Sequence, residues 1–447
     1  MARKPWRQPN WLLALAAVCW RLAFVAPLCA QEPTPPATSQ TGAPIRVARL
    51  VTELGADSFA VRVRASEELA KIGPEARQAI EVATRHEDPE VRLRAKDLLR
   101  ELKLRDLWSA SRFTAPAESK PTTDLLKILG AQTGNHVLFD APYGALNNAT
   151  VKLDPAITDY WPALDEICRQ SANHLRHHYD SRAVGMVVVS GAPGKFPLAY
   201  AGPVRGRITS ARRAFIEELS YEETRSETTH TFQLNLEMTW EDRFKLVAYR
   251  SSPLVLEAVT DTGVRLNSAQ PAAGGWNVAG VGSRQSLMNI RLQPPPPRAR
   301  ELETLHLAWE LIAVGDFTHL EIDDLASREP KFQDDVELTI ETFQPTTGGR
   351  YEVLVRVRRN LVAPDPPEAI LQEHELELLD AAGAPMRKLN QTGGLADHGA
   401  TIKTTFMGTN EATPPAKLRF VYPRLRSQRN LEVVFRHVAL PTGLPRE

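Results

Sequence analysis

The sequence predicts a multidomain chain: N-terminal α-helical hairpins, then a small α+β domain, then mainly antiparallel β-sandwich domains. Three observations carry this expectation. The chain has 447 residues, too many for a single core. Its first folded stretch holds an internal repeat with helical periodicity. Beyond Pro193 that periodicity gives way to alternating apolar and polar residues, broken by Gly, Pro, Asn and Asp turns.

The N-terminus reads as an address. Arg3, Lys4 and Arg7 form a basic region ahead of the apolar run Trp11–Trp20, which continues to Ala30 before Gln31-Glu32-Pro33 turns polar. This is the order of a secretory signal peptide, placed at 1–30, and it predicts a bacterial-type protein exported to the periplasm or cell envelope. Arg21 interrupts the run and Leu28 is large for its position, so an uncleaved single-span anchor is the alternative. Residues 31–44 are rich in Pro, Thr and Ser and read as a flexible leader. No later segment is apolar enough to span a membrane. Cys19 and Cys29 fall in the signal region, which leaves Cys168 without an internal disulfide partner. It reads as a small buried hydrophobe on a helix.

The helical stretch, 45–108, repeats every 30 residues: Val61-Arg62-Val63-Arg64-Ala65 aligns with Val91-Arg92-Leu93-Arg94-Ala95, and Leu69 with Leu99. Val61, Ala65, Leu69 and Ile72 form one apolar stripe at helical spacing. Asp88-Pro89 would cap and start a helix, and Gly73-Pro74 would end one. These residues resemble the HEAT repeat, whose helix core reads D-x-x-V-R-x-x-A-x-x-x-L. The likeness runs from Ile45 to Leu104 and implies a solenoid-type binding surface. Two copies are fewer than solenoids use to bury their faces, so the stretch is expected to lean on the next module.

Residues 120–191 alternate helix and strand. Asp124–Gly134 reads as a short amphipathic helix and Tyr160–Ser171 as a second. His136–Asp140 and Ala149–Asp154 read as strands, and Leu175–Tyr179 with Gly185–Val189 as a hairpin. That order resembles the short N-terminal domain of secretins and TonB-dependent receptors. The resemblance implies a small protein-interaction module without catalytic residues. No pore or barrel sequence follows, so a transport role is not implied.

The remainder is read as one β-sandwich at 194–330 and a second at 331–440. Thr231–Trp240 alternates cleanly, Pro294–Pro297 marks a break between strands, and Asp380–Gly383 supplies a turn. Separate strands are expected at Lys417–Val421 and Leu431–Phe435. The whole order of modules resembles secreted multi-module proteins of planctomycete-type bacteria.

Chemistry is sparse. Lys plus Arg and Asp plus Glu both number 54, which argues against a nucleic-acid binder. His174, His177 and His178 with Asp180 are the nearest thing to a metal cluster, but successive strand residues point to opposite faces, so no metal is expected. The acidic runs Glu321–Asp324 and Glu222-Glu223 lack a calcium-loop pattern and read as solvated charge. Familiar hydrolase motifs and phosphate loops are absent, and no cofactor is expected. Trp161, Trp240, Trp276 and Trp309 read as packing residues, with sugar stacking as the other role. The expected function is a non-enzymatic exported scaffold that binds a protein partner in the cell envelope. Arg62, Arg64, Arg92 and Arg94 form the candidate interaction surface. Carbohydrate or cell-wall binding through Trp240 and Trp309 is one alternative, and an unrecognised hydrolase is another.

Overall fold

The computed structural model describes residues 42–139, 145–179, 184–220, 225–269, 274–279, 284–359, 374–396, 399–408 and 414–441. The predicted signal and most of the leader lie outside these residues, as do Asp180 and Glu222-Glu223. Helices dominate the N-terminal part and antiparallel sheets the rest. No described helix is long and apolar enough to cross a membrane.

Four helices, α1 (Gly42–Glu53), α2 (Phe59–Ile72), α3 (Arg77–Ala83) and α4 (Pro89–Trp108), pack around one core of Val47, Leu50, Leu54, Ala65, Leu69, Ile80, Val91, Ala95, Leu98 and Leu102. Asp88 caps α4 by accepting from the Glu90 amide at 2.8 Å, with Pro89 in the first turn. Gly73 ends α2 at φ 73°, a left-handed conformation that glycine adopts without strain, and a 3-10 turn carries the chain into α3.

The next unit is built from β1 (Lys120–Pro121), α5 (Thr122–Thr133), β2 (Val137–Leu138), β3 (Thr150–Val151), α6 (Tyr160–Gln170), β4 (Asn173–Tyr179) and β5 (Val184–Ser190). Its main sheet has the order β2-β5-β4, with β2 parallel to β5 and β4 antiparallel to it. Both helices cover a core of Leu125, Leu129, Trp161, Leu164, Ile167, Leu175 and Val188. Gly134, at φ 69°, closes α5.

Two facing pairs follow, built among the described residues from three sheets, because both pairs share one six-stranded sheet. In the first, β6 (Leu198–Ala201), β7 (Val204–Ser220), β8 (Arg225–Trp240) and β12 (Gln285–Leu292) make a four-stranded antiparallel sheet. It shares a core with β9 (Lys245–Arg250), β10 (Leu254–Thr260), β11 (Trp276–Val278) and the first part of β13 (Glu301–Ile322). In the second, β14 (Lys331–Gln333), β15 (Val336–Thr346), β16 (Arg350–Arg359), β18 (Arg387–Ala396) and β19 (Gly399–Met407) face β17 (Glu375–Asp380) and the distal part of β13.

A final strand, β20 (Pro415–Ala439), joins the two pairs. It runs antiparallel to β13 in unbroken register from Ile322↔Leu418 to Glu301↔Ala439. The two short strands read at 417–421 and 431–435 are thus one, because Tyr422 to Asn430 stay paired to β13 rather than turning. Leu418, Phe420 and Tyr422 enter the second core, and Leu425, Val433 and Phe435 the first. The units therefore interleave along the chain: residues 425–439, read as the end of the second sandwich, are strand neighbours of 301–315, which contribute to the first core.

Candidate interaction surface

The helical unit is held on its α4 side and open on its α1–α3 side. On the held side, α4 sits at the middle of the β13–β20 ladder. The Trp108 indole donates to Ser427 Oγ at 3.0 Å, Lys103 pairs with Asp316 at 2.8 Å, and Arg429 lies over the Trp108 ring. Leu107 packs beside Gly315. A Cβ at Gly202, in the β6–β7 turn at φ 51°, would overlap the Trp108 carbonyl, so this close approach requires glycine.

A buried polar knot lies beside this contact. The Glu241 carboxylate, fully buried, accepts from the Ser111 amide at 2.9 Å, from the Ser111 hydroxyl, from Asn135 Nδ2 at 3.3 Å and from Arg243 Nε at 2.9 Å. Arg243 also donates to the carbonyls of Asp106 and Ser109. One carboxylate thereby ties together the segment after α4, the exit of α5 and the loop after β8. A second tie lies nearby, where Arg205 (side chain 4% exposed) forms a bidentate pair with Asp165 of α6. Burial works against the Arg205 charge, but Asp165 outweighs it and raises its pKa. The Trp161 indole donates to the Pro203 carbonyl at 3.0 Å.

On the open side, α1 and α3 run past each other and leave a groove. Its wall and floor are Pro44, Val47, Ala48, Val51, Ala79 and Val82, enclosing about 820 Å³, and a contiguous hollow of about 690 Å³ extends it past Arg85 to Glu87. The groove exists because each helix carries an apolar arc wider than its own core contact. In α3, Ile80 and Ala83 point into the core and Ala79 packs at its edge, while Val82 stands outside it, 71% exposed. Ala48 and Ala79 are too short to fill the space between the helices. The rim carries Glu75, Glu81 and Glu87 against Arg85, and none of these three carboxylates forms an ion pair among the described residues.

The four arginines read from sequence as a binding surface lie elsewhere and differ from one another. Arg62 donates through Nη1 to the carbonyls of Ala56 and Asp57, at 2.7 and 2.9 Å. Arg92 makes the equivalent pair with His86 and Glu87, at 2.7 and 2.6 Å. Each ties down the turn ahead of its own helix. Arg94 and Arg62 share Glu90 at 2.7 and 3.3 Å, and both lie over the Phe59 ring. Arg64 is the most open of the paired three, its side chain 61% exposed against 20% for Arg62 and 21% for Arg94.

The other sequence candidates are placed as follows. Trp161, Trp240 and Trp309 are buried in cores, and Arg250 lies over one face of the half-buried Trp276 ring at 4.3 Å. Burial, with Asp165 adding to it, drives the Cys168 thiol pKa well upward, which keeps it protonated. His174 and His177 lie three positions apart on β4 and so on opposite faces. Burial lowers the His177 pKa to about 4, with Glu237 opposing and Arg207 and Arg205 adding to the shift. The His178 side chain and Asp180 lie outside the described residues. Among the described residues no three His, Cys, Asp or Glu side chains are grouped to hold a metal ion. Glu321 is paired with Lys417 and Arg419 across the ladder, and Asp324 accepts from the Ala326 amide.

Sequence reasoning passed over the groove. The available signal was Val82, an apolar residue outside the stripe of its own helix. The chain matches no protein-family model, no curated protein and no solved structure.

Proposed function

We propose that this chain is an exported, non-catalytic scaffold of the cell envelope that holds a helix of a protein partner in the groove between α1 and α3. The observation that carries this reading is an apolar trough whose rim carboxylates form no ion pair among the described residues, on a side of the helical unit that no other part of the described chain covers. A groove of this kind suits an amphipathic helix with apolar residues at i, i+3 and i+7. The rim carboxylates favour basic residues flanking that helix. The HEAT-like reading of 45–108 gains support from Arg62 and Arg92, which make the same carbonyl contacts in successive repeats. The interaction-module reading of 120–191 and the β-sandwich reading of the remainder belong to the same proposal, with the latter two acting as the rigid mount. The signal-like N-terminus supports export.

The test is a photo-crosslinking residue placed at Val82 of the full chain, with envelope and cytosol analysed separately. The expected result is one discrete adduct in the envelope fraction, reduced at least about tenfold by Val51→Glu. The same probe at Phe332, which is 71% exposed on β14, is the control and should give none. Equal adducts from both positions, or insensitivity to Val51→Glu, would remove the groove. Recovery only in the cytosol would remove export.

A further inference from the structure

The two facing pairs of sheets meet at a neck. β9 leaves the edge of β13 at Val314, and β17 leaves the edge of β20 at Val421. From Gly315 to Thr318, opposite Tyr422 to Leu425, the six-stranded sheet is therefore reduced, among the described residues, to β13 and β20 alone. Two-stranded ribbons twist further than wider sheets do. The cores divide at the same place. Ala313 and Leu425 belong to the first, Leu320 and Tyr422 to the second, and the two cores share no residue.

Inside the neck one ladder pair is skipped. Gly315 pairs with Leu425 and Phe317 with Pro423, but Asp316 and Arg424 between them do not. Asp316 sits at φ 52°, a left-handed conformation that strains a residue with a side chain. Glu303 and His437 are skipped too, but there β10 still flanks β13 and the sheet stays wide. An Arg opposite an Asp is a favourable cross-strand pair. Here each is held by a different unit instead. Lys103 of α4 takes Asp316 at 2.8 Å, with Leu107, one turn further on, against Gly315. Arg424 reaches Asp334 in the β14–β15 turn at 3.1 Å, and Arg359 donates to the Pro423 carbonyl at 2.7 Å.

We infer that the neck is a two-position joint between the two facing pairs, with Lys103 of α4 as its latch. With the latch closed, Asp316 is turned out of the ladder toward Lys103, as observed. With the latch open, Asp316 returns to the extended region and pairs with Arg424, and the ribbon takes its regular twist. The exchange swaps one ion pair for another and relieves the strain at Asp316, so the two positions lie close in energy. The helical unit thereby governs, through α4, how the two cores lie relative to each other, whatever its groove holds.

Electron–electron distance measurements between spin labels on the mature chain test this. Labels at Leu287→Cys on β12 and Phe332→Cys on β14, both positions 71% exposed, report across the neck, and Cys168 is buried and stays unlabelled. The otherwise unchanged chain should show one dominant distance. Lys103→Gln should raise a second, distinct distance by roughly threefold, the population equivalent of a partly exposed ion pair. Lys103→Arg should keep the original distribution. Adding Arg424→Gln to Lys103→Gln should remove the second distance, because the alternative partner of Asp316 is gone, whereas simple loosening would survive it. Labels at Leu254→Cys and Leu287→Cys, both on the first core's side, should not respond to any of these changes. An unchanged distribution in Lys103→Gln would overturn the joint, and so would a second distance that persists with Arg424→Gln or a response from the Leu254–Leu287 pair.

Discussion

The helical unit carries apolar side chains on both of its sides. On the α4 side Leu107 and Trp108 are buried against the β13–β20 ladder, with the Trp108 indole bonded to Ser427 and Lys103 paired with Asp316. On the α1–α3 side Val82 stands exposed and the rim carboxylates have no counter-ion among the described residues. Both sides look alike in helical periodicity. They differ in side-chain size, since Leu and Trp fill the first contact while Ala48 and Ala79 leave the second hollow. A face built to be covered permanently by its own chain uses large residues and fixed polar anchors. On the proposed reading, the α1–α3 face keeps its space and its charge for a partner.

Substitutions should separate the two sides by their energies. Trp108→Ala removes a buried aromatic ring and leaves Ser427 without its donor, and should cost roughly 3–5 kcal/mol in urea unfolding. Val82→Asp, on the open side, should fall within about 0.5 kcal/mol of wild type. Equal losses would erase the distinction between the sides.

The polar knot beside Trp108 should be the next most sensitive point. Glu241→Ala leaves Arg243, the Ser111 amide and Asn135 facing one another without their acceptor, and should cost about 3 kcal/mol. Hydrogen exchange should then accelerate in α4 and α5 together, because Glu241 is the atom group they share. Protection that changes in only one of the two helices would show that the knot does not couple them.

Covered surfaces also respond to pH, and His177 is the place to see it. Its folded pKa, lowered to about 4 chiefly by burial, lies below the 6.5 of an exposed histidine. Between these values the unfolded chain binds the extra proton, so the stability due to keeping His177 neutral is full above about pH 6.5 and declines as pH falls toward 4. Allowing for its partial exposure, the loss should be about 2 kcal/mol. His177→Gln cannot titrate, so its urea midpoint should fall less than wild type between pH 7 and 4.5. Parallel declines would place the titration elsewhere.

Local pattern made much of this architecture readable. The capped start at Asp88-Pro89, the stop at Gly73, the helix closed by Gly134 and the alternation of Thr231–Trp240 are each set by residues near in sequence. What stayed hidden depends on distant partners. Tyr422 to Asn430 stay extended because β13, more than a hundred residues earlier, offers them a continuous edge, and no local signal marks that. Glu241 looks like any surface carboxylate until Ser111 and Asn135 are brought to it. The groove was missed for the opposite reason. Its residues are ordinary helix apolars, and only the absence of a covering neighbour among the described residues distinguishes Val82 from Ile80.

The smallest effects test whether the repeat arginines belong to the covered or the open part of the unit. Arg62 and Arg92 each hold two turn carbonyls from a half-buried position, whereas Arg64 reaches Glu53 at 3.4 Å from a largely exposed one. Substituting Arg62 or Arg92 by Ala should cost about 1 kcal/mol, the net worth of charge-assisted bonds to carbonyls that partly regain water. Arg64→Ala should cost less than about 0.5 kcal/mol, as exposed ion pairs do. The two turns are separate, so the Arg62 and Arg92 losses should add in the double variant. Strong non-additivity would mean that the repeats unfold as one tightly coupled pair rather than as units with their own fastened turns. A loss at Arg64 equal to that at Arg62 would mean that exposure does not rank these arginines. In either case the partner-binding test at Val82 should be unaffected, because neither arginine lines the groove.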